Sequence, residues 1–267
     1  MTILDEILEH KRREIAQAKA KLPVEELQRR ALRSSTRRGF RTALESSPNK
    51  PALIAELKRK SPSRGMLRER FDPVSLAQQL QDAGASALSV LTDERFFGGS
   101  LEILRDVQAF VEIPVLRKDF ILEPYQIYEA ACAQADAVLL IVQALSEAQL
   151  GGLLRVATQV GLDALVEVHT EEERDRALEC GARLIGINTR DLRTFTTHQD
   201  VVQRLVSRIP TGVVVVAESG IRHPKDLIRL KSLGVHAVLI GEALMTAPDA
   251  AAKARELFAG AWRPTAS

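Results

Sequence analysis

IAELKRKSPSRG, residues 54–65, begins as a core strand and then breaks its own pattern: Ile54, Ala55 and Leu57 are apolar, but Glu56 and Lys58 carry charge. Side chains of a strand alternate between two faces, so Ala52, Ile54, Glu56 and Lys58 share one face with both charges at its C-terminal end. Lys and Glu are seldom fully buried unless paired. Two of them at the end of a core strand therefore point to a site.

Seven further apolar runs follow the one at ALIAELK (from Ala52). They are ALSVLTD (Ala87), PVLRKDF (Pro114), DAVLLIV (Asp136), DALVEV (Asp163), RLIGINT (Arg183), VVVVAES (Val213) and HAVLIG (His236). Each is followed by a longer amphipathic stretch, the pattern of parallel βα units. DPVSLAQQLQDAG from Asp72 has an Asp cap, an early Pro and a Gly stop, and HPKDLIRLKSLG from His223 repeats the Pro and Gly punctuation. Eight such units from residue 51 to 267 predict a closed (β/α)8 TIM barrel rather than a doubly wound sheet, and no GxGxxG follows the first strand.

Residues 1–50 predict an N-terminal helical extension packed on the barrel. ILDEILEHKRREIAQAKAKL places Ile3, Ile7, Leu8 and Ile15 near one helix face, and PVEELQRRALRS reads as a second helix. The extension holds 12 Lys+Arg against 7 Asp+Glu, a +5 balance inside a chain of formal net charge +2. Acids and apolar residues interleave these charges at helical spacing and aromatics are sparse, so a solvated helix face is expected and nucleic-acid binding is not.

Other classes are excluded by composition. No apolar run approaches the roughly 20 residues of a membrane span, and the start MTILDEILEHKRRE carries no export signal, so a soluble cytoplasmic protein is expected. Cys132 and Cys180 lie in helix-like segments and read as reduced structural thiols. The histidines at 10, 169, 198, 223 and 236 form no HxH or HExxH, so no metal site is expected. No exposed apolar helix stripe beyond the extension is evident, which favours a monomer.

The same parity applied to the other strands groups Leu116 with Lys118, Leu165 with Glu167, Gly186 with Asn188, and Val216 with Glu218. Apolar or small residues lie deeper and a polar residue ends each strand. Barrel active sites occupy that C-terminal face, so Glu56, Lys58, Lys118, Glu167, Asn188 and Glu218 are expected to converge there. Any one of them read alone is simply the first solvated position after a strand; six together, of mixed sign in a narrow mouth, imply acid/base chemistry or anion binding. ESGIRHP from Glu218 and IGEALM from Ile240 place Ser219, Gly220 and Gly241 where barrels hold phosphate on backbone N–H groups. The long loop RKSPSRGMLRERFDP, with Arg59, Lys60, Arg64, Arg68 and Arg70, reads as a cover for an anionic substrate.

IAELKRKSPSRG, LSVLTDERFFGGS, PVLRKDFI, ADAVLLIV, LVEVHT, IGINTRDL, VAESGI and LIGEALM, in this order, resemble the indole-3-glycerol-phosphate synthase family over nearly the whole chain. The resemblance implies ring closure, decarboxylation and dehydration of a phosphorylated carboxyphenylamino-deoxyribulose, without metal or organic cofactor. It implies Lys118 as general acid at the ketose oxygen, Glu167 as its acid/base partner, and Glu56 with Lys58 for the substrate carboxylate and the dehydration. Asn188 and Glu218 would orient substrate hydroxyls and the lysines; Ser61, Lys60 and Arg190 would support the substrate; Phe97 and Phe120 would pack on its ring. Phosphate would sit on Ser219, Gly220, Gly241 and the backbone N–H of Glu242, whose side chain, a serine in some members, is expected to turn away. Which lysine acts at which step stays open at this level. Phosphoribosylanthranilate isomerase, the nearest alternative, uses a Cys and Asp pair at strand ends, whereas both cysteines here fall in helices. The tryptophan synthase α subunit is disfavoured by the lysine-rich mouth, and a non-catalytic anion-binding barrel by the filled strand ends.

Overall fold

In the computed structural model, which describes residues 2–33, 37–189 and 200–259, all eight expected strands are present. They are β1 (Ala52–Leu57), β2 (Ala87–Leu91), β3 (Val115–Lys118), β4 (Ala137–Ile141), β5 (Asp163–Val168), β6 (Leu184–Asn188), β7 (Val214–Glu218) and β8 (Ala237–Ile240). Each pairs in parallel with its chain neighbours, and β8 closes on β1 with Ala52 opposite Ala237 and Ala55 opposite Ile240. The fold is a (β/α)8 TIM barrel. Its strands read as continuous apolar runs because helices cover the outside and side chains fill the lumen; β1, β2, β4, β6, β7 and β8 are buried along their whole length.

Local chemistry starts the helices where the sequence implied. Asp72 accepts from the Ser75 N–H ahead of Pro73–Asp82, and Pro224 opens the helix Pro224–Ser232. Register then sets the level of the polar strand ends: Leu91 lies opposite Lys118, Ile141 opposite Glu167, Glu167 opposite Gly186, and Asn188 opposite Glu218.

Among the described residues the extension holds three helices, α1 (Ile3–Lys21), α2 (Val24–Leu32) and α3 (Phe40–Ser46). Leu4, Ile7, Leu8 and Ile15 of α1 are buried, whereas Ile3 is half-buried. Helix α3 escaped the sequence reading because its seven residues hold a single apolar i,i+4 pair, too little for a period. That pair, Phe40 and Leu44, is fully buried. α3 touches β1, β2 and β7, and the Arg41 N–H donates to Asp163, the first residue of β5, at 2.9 Å. It therefore lies across the N-terminal end of the barrel, opposite the polar mouth.

The solvated-face reading of the extension's charges needs correction at Lys11. This lysine is 4% exposed, and its ammonium lies 2.9 Å from Asp93, 2.9 Å from Asp119 and 2.6 Å from Glu14. Asp119 also accepts from Thr92 (2.6 Å) and pairs with Arg117 (3.1 Å), so α1 is tied to the ends of β2 and β3 through a buried ionic network. Lys11 occupies the gap in the apolar stripe between Leu8 and Ile15, a position that required burial whatever residue stood there. The loop after β1 contains a small hairpin in which Lys60–Ser61 pairs with Gly65–Met66. Cys132 and Cys180 are free and half-buried, each thiol directed at a backbone carbonyl 3.7 Å away.

Candidate active site

The strand ends converge as parity demands. Lys118 Nζ lies 2.7 Å from Glu218 Oε2 and 3.8 Å from one oxygen each of Glu56 and Glu167, while Lys58 Nζ lies 2.5 Å from Glu56 Oε1. All three glutamates are at most 3% exposed, so these charges interact in a medium far less screening than water. A cavity of about 740 Å³ opens above them.

Of the residues expected from sequence, Glu56, Lys58, Ser61, Phe97, Lys118, Phe120, Glu167, Asn188, Glu218, Ser219, Gly220, Gly241 and Glu242 line this cavity. Lys60 does not; its ammonium donates to the Arg95 carbonyl at 2.7 Å and pins the first loop to the second. Arg190 lies outside the described residues. Phe97 and Phe120 meet with ring centroids 6.1 Å apart and tilted by 36°, an apolar wall suited to a planar ring. Thr189, to which the sequence assigned no role, joins the end of β6 to the end of β7: its N–H and hydroxyl donate to the Glu218 carbonyl at 3.2 and 3.1 Å.

Three carboxylates against two ammoniums leave the centre one negative charge in excess. Burial raises the Glu218 carboxyl, the Lys118 ammonium opposes this and Glu167 adds to it, so that Glu218 is pushed up to about 7. Burial acts to lower Lys118, but the carboxylates of Glu218, Glu167 and Glu56 outweigh it and hold the ammonium above the usual lysine range. The site thus starts with a protonated lysine beside a carboxyl that exchanges a proton near neutral pH, the pairing that general acid/base work requires.

Two glycines make room for the carboxylates. A Cβ on Gly186 would fall 2.2 Å from Glu218 Oε1, and one on Gly241 would fall 2.2 Å from Glu56 Oε1. Gly186→Ala is therefore expected to displace Glu218 from Lys118 and to lower kcat roughly 10-fold while the protein remains folded, because misplacing a positioned group is costly even when chemistry is intact. Steady-state kinetics with circular dichroism on the same sample checks this.

Next to the lysine centre, Ser219 and Gly220 adopt consecutive left-handed conformations (φ 66° and 72°), and a short helix, Glu242–Met245, starts at Gly241. Glu242 Oε1 is held by Arg64 at 3.0 Å and by Arg222 at 3.3 Å, so its charge is matched by two guanidiniums. Arg222 stands in the quoted ESGIRHP, but helix-start punctuation there hid its reach to Glu242 at the end of the neighbouring strand β8.

A closed parallel barrel with a lysine–carboxylate centre at one side of its C-terminal mouth and Gly-rich turns after the last two strands defines the class of (β/α)8 enzymes that act on small phosphorylated substrates. The family described as indole-3-glycerol phosphate synthase matches residues 4–257, and this chain belongs to that family. It is 48% identical to the indole-3-glycerol phosphate synthase of Carboxydothermus hydrogenoformans over 252 residues, covering 92% of this chain and 96% of that protein. It is 47% identical to the one from Roseiflexus sp., covering 97% and 99%, and 45% identical to the one from Mycolicibacterium vanbaalenii, covering 99% and 96%. Among solved structures, thiamine phosphate pyrophosphorylase from Pyrococcus furiosus superposes with a TM-score of 0.59 at 18% identity, over 79% of this chain and 95% of that one, a likeness of fold alone.

Proposed function

We propose the following division of labour for the conversion of 1-(2-carboxyphenylamino)-1-deoxyribulose 5-phosphate to indole-3-glycerol phosphate, the carboxy-lyase step of tryptophan biosynthesis. Lys118 protonates the ketose oxygen as the carboxylate-bearing ring carbon attacks the ketose carbonyl carbon, and carbon dioxide then leaves. Lys58 with Glu56 directs the substrate carboxylate and later protonates the departing hydroxyl, while a carboxylate removes one ring proton. Glu167 exchanges protons with Lys118, and Asn188 and Glu218 orient the substrate and the lysines. Two protons enter and one leaves, so each turnover takes up one proton from water. Apart from the C–C bond of ring closure, every step is a proton transfer or the loss of a neutral molecule, and the reading requires neither metal nor organic cofactor. The supporting observation is Lys118 set among three carboxylates on the floor of the cavity.

Phe97 and Phe120 would hold the aromatic ring, Ser61 and Arg190 the rest of the substrate, and Lys60 acts indirectly by anchoring the covering loop. Phosphate is assigned to the backbone of Ser219, Gly220, Gly241 and Glu242, with Arg64 and Arg222 at its edge. Arg222→Ala is then expected to raise KM about 10-fold, the value of one charge-assisted bond, with kcat little changed. Residues 1–50 are read as an appendage of the barrel, supported by the burial of Lys11, Phe40 and Leu44. A cytoplasmic monomer is the corresponding physical state. Among the described residues no helix is long and apolar enough to cross a membrane, and the exposed Leu32, Met66, Phe110 and Ile228 lie on separate elements.

Supplying the carboxyphenylamino-deoxyribulose phosphate and following indole fluorescence tests the assignment. Product formation supports it, and absence of product from folded protein overturns it.

A further inference from the structure

Glu167 presents its two carboxylate oxygens to different partners. Oε2 lies 3.8 Å from Lys118 Nζ, and Oε1 lies 3.5 Å from Nε2 of His169. Beyond the imidazole, Nδ1 is 3.3 Å from Glu173 Oε2, which also accepts the His169 backbone N–H at 2.7 Å. The local fold produces this line. His169 follows β5 and has the same parity as Glu167, and Glu173 sits in the first turn of the helix Glu171–Glu179, four residues on.

Exposure increases along the series, from 3% for the Glu167 side chain to 12% for His169 and 14% for Glu173. The Nε2 atom is buried and, among the described residues, makes no hydrogen bond. A buried ring nitrogen without a bond, aimed at an acid/base carboxylate, has no evident structural purpose.

Each turnover takes up one proton, while a bound substrate covers Lys118 from the mouth. We propose that Glu173 and His169 form the relay through which that proton reaches Glu167 and, by way of its second oxygen, Lys118. The inference rests on the reading of Glu167 and Lys118 as the acid/base pair. Per cycle one proton enters from water at the Glu173–His169 end, one passes from Nε2 to Glu167 Oε1, and one returns to the Lys118 amine. Only N–H and O–H bonds change.

The charges around the ring suit this task. Among the described residues, Glu167 and Glu218 act on it from the barrel and Glu173 from the helix, with Lys118 beyond Glu167 and Arg176 acting on Glu173. Burial lowers the affinity of His169 for a proton, but the hydrogen bond to Glu173 and the charges of Glu167, Glu173 and Glu218 outweigh it, so that the ring titrates above its ordinary range.

The test compares His169→Asn, His169→Ala, Glu173→Gln and Glu167→Gln by kcat and KM across pH, with and without added imidazole. His169→Asn and Glu173→Gln are expected to lower kcat about 10-fold with KM unchanged. Imidazole is expected to raise the kcat of His169→Ala in proportion to its acid form and to leave the native enzyme unaffected. Native kcat and pH profile in both His169→Asn and Glu173→Gln overturn the relay, as does a His169→Ala defect that imidazole leaves unchanged. If the His169 variants do not fold, Glu173→Gln decides alone. Glu167→Gln separates the two levels: loss of activity that imidazole does not restore keeps the acid/base reading whatever the histidine does, whereas full activity overturns both.

Discussion

Lys118→Ala is expected to lower kcat by about 10²- to 10⁴-fold, the range for removing a positioned acid, in the indole-fluorescence assay. On the proposed reading the lysine supplies the first proton, and it also balances the charge of Glu56, Glu167 and Glu218. Lys118→Arg separates these two contributions. A guanidinium keeps the positive charge but does not give up its proton in proteins, so a donor role predicts a comparable loss in both variants. Near-native activity in Lys118→Arg would reduce the lysine's part to charge alone. In the alanine variant Glu218 loses the Lys118 charge and hydrogen bond that lower its affinity for a proton. Its carboxyl then rises from about 7, and the residual pH profile should shift in the alkaline direction.

The second large effect concerns stability. Lys11→Met retains the apolar stem of the side chain and removes a charge buried against Asp93 and Asp119. Breaking a buried pair strands its partners, so a loss of about 3–5 kcal/mol is expected, with a fall in Tm on the order of 10 °C. The pH dependence has a definite sign. Asp119 is buried, but Lys11 and Arg117 hold its carboxyl well below the usual carboxylate range. A depressed carboxyl stabilises the fold above its unfolded pKa and loses that contribution as pH falls through its folded value. Lys11 is held above the ordinary lysine range, burial being outweighed by Asp119 and Asp93, so its own contribution persists through neutral pH and disappears only in strong alkali. The destabilisation measured for Lys11→Met should therefore be largest near neutral pH and shrink in acid. A denaturation series from pH 7 down through the acid range below the ordinary aspartate pKa of about 3.9 decides, and a deficit that stays constant until Asp119 itself is protonated would show that packing, not charge, is what Lys11 supplies.

Much of the barrel could be read directly from the chain. Strand parity placed Glu56, Lys118, Glu167, Asn188 and Glu218 on one face at one end, because a period of two leaves no freedom once the apolar set faces inward. Helix α3 was not legible, since one apolar pair carries no period. Lys11 was misread for the opposite reason: its neighbours show helical spacing, but its burial depends on Asp93 and Asp119, more than 80 residues away along the chain.

The His169 geometry belongs with Lys11. A histidine after a strand is unremarkable in sequence, and only the facing of Glu167 Oε1 on one side and Glu173 on the other gives it a line of proton-accepting atoms. Gly186 and Gly241 are similar: their small size looks like loop or strand punctuation until Glu218 and Glu56 are found against them. Sequence by itself determined the closed barrel, its polar mouth and the charged residues that end its strands, because periodicity and strand-end chemistry are local. Tertiary structure alone decided which charges meet, at what distance and how far from water, because the energy of an ion pair depends on separation and burial, and neither is written along the chain.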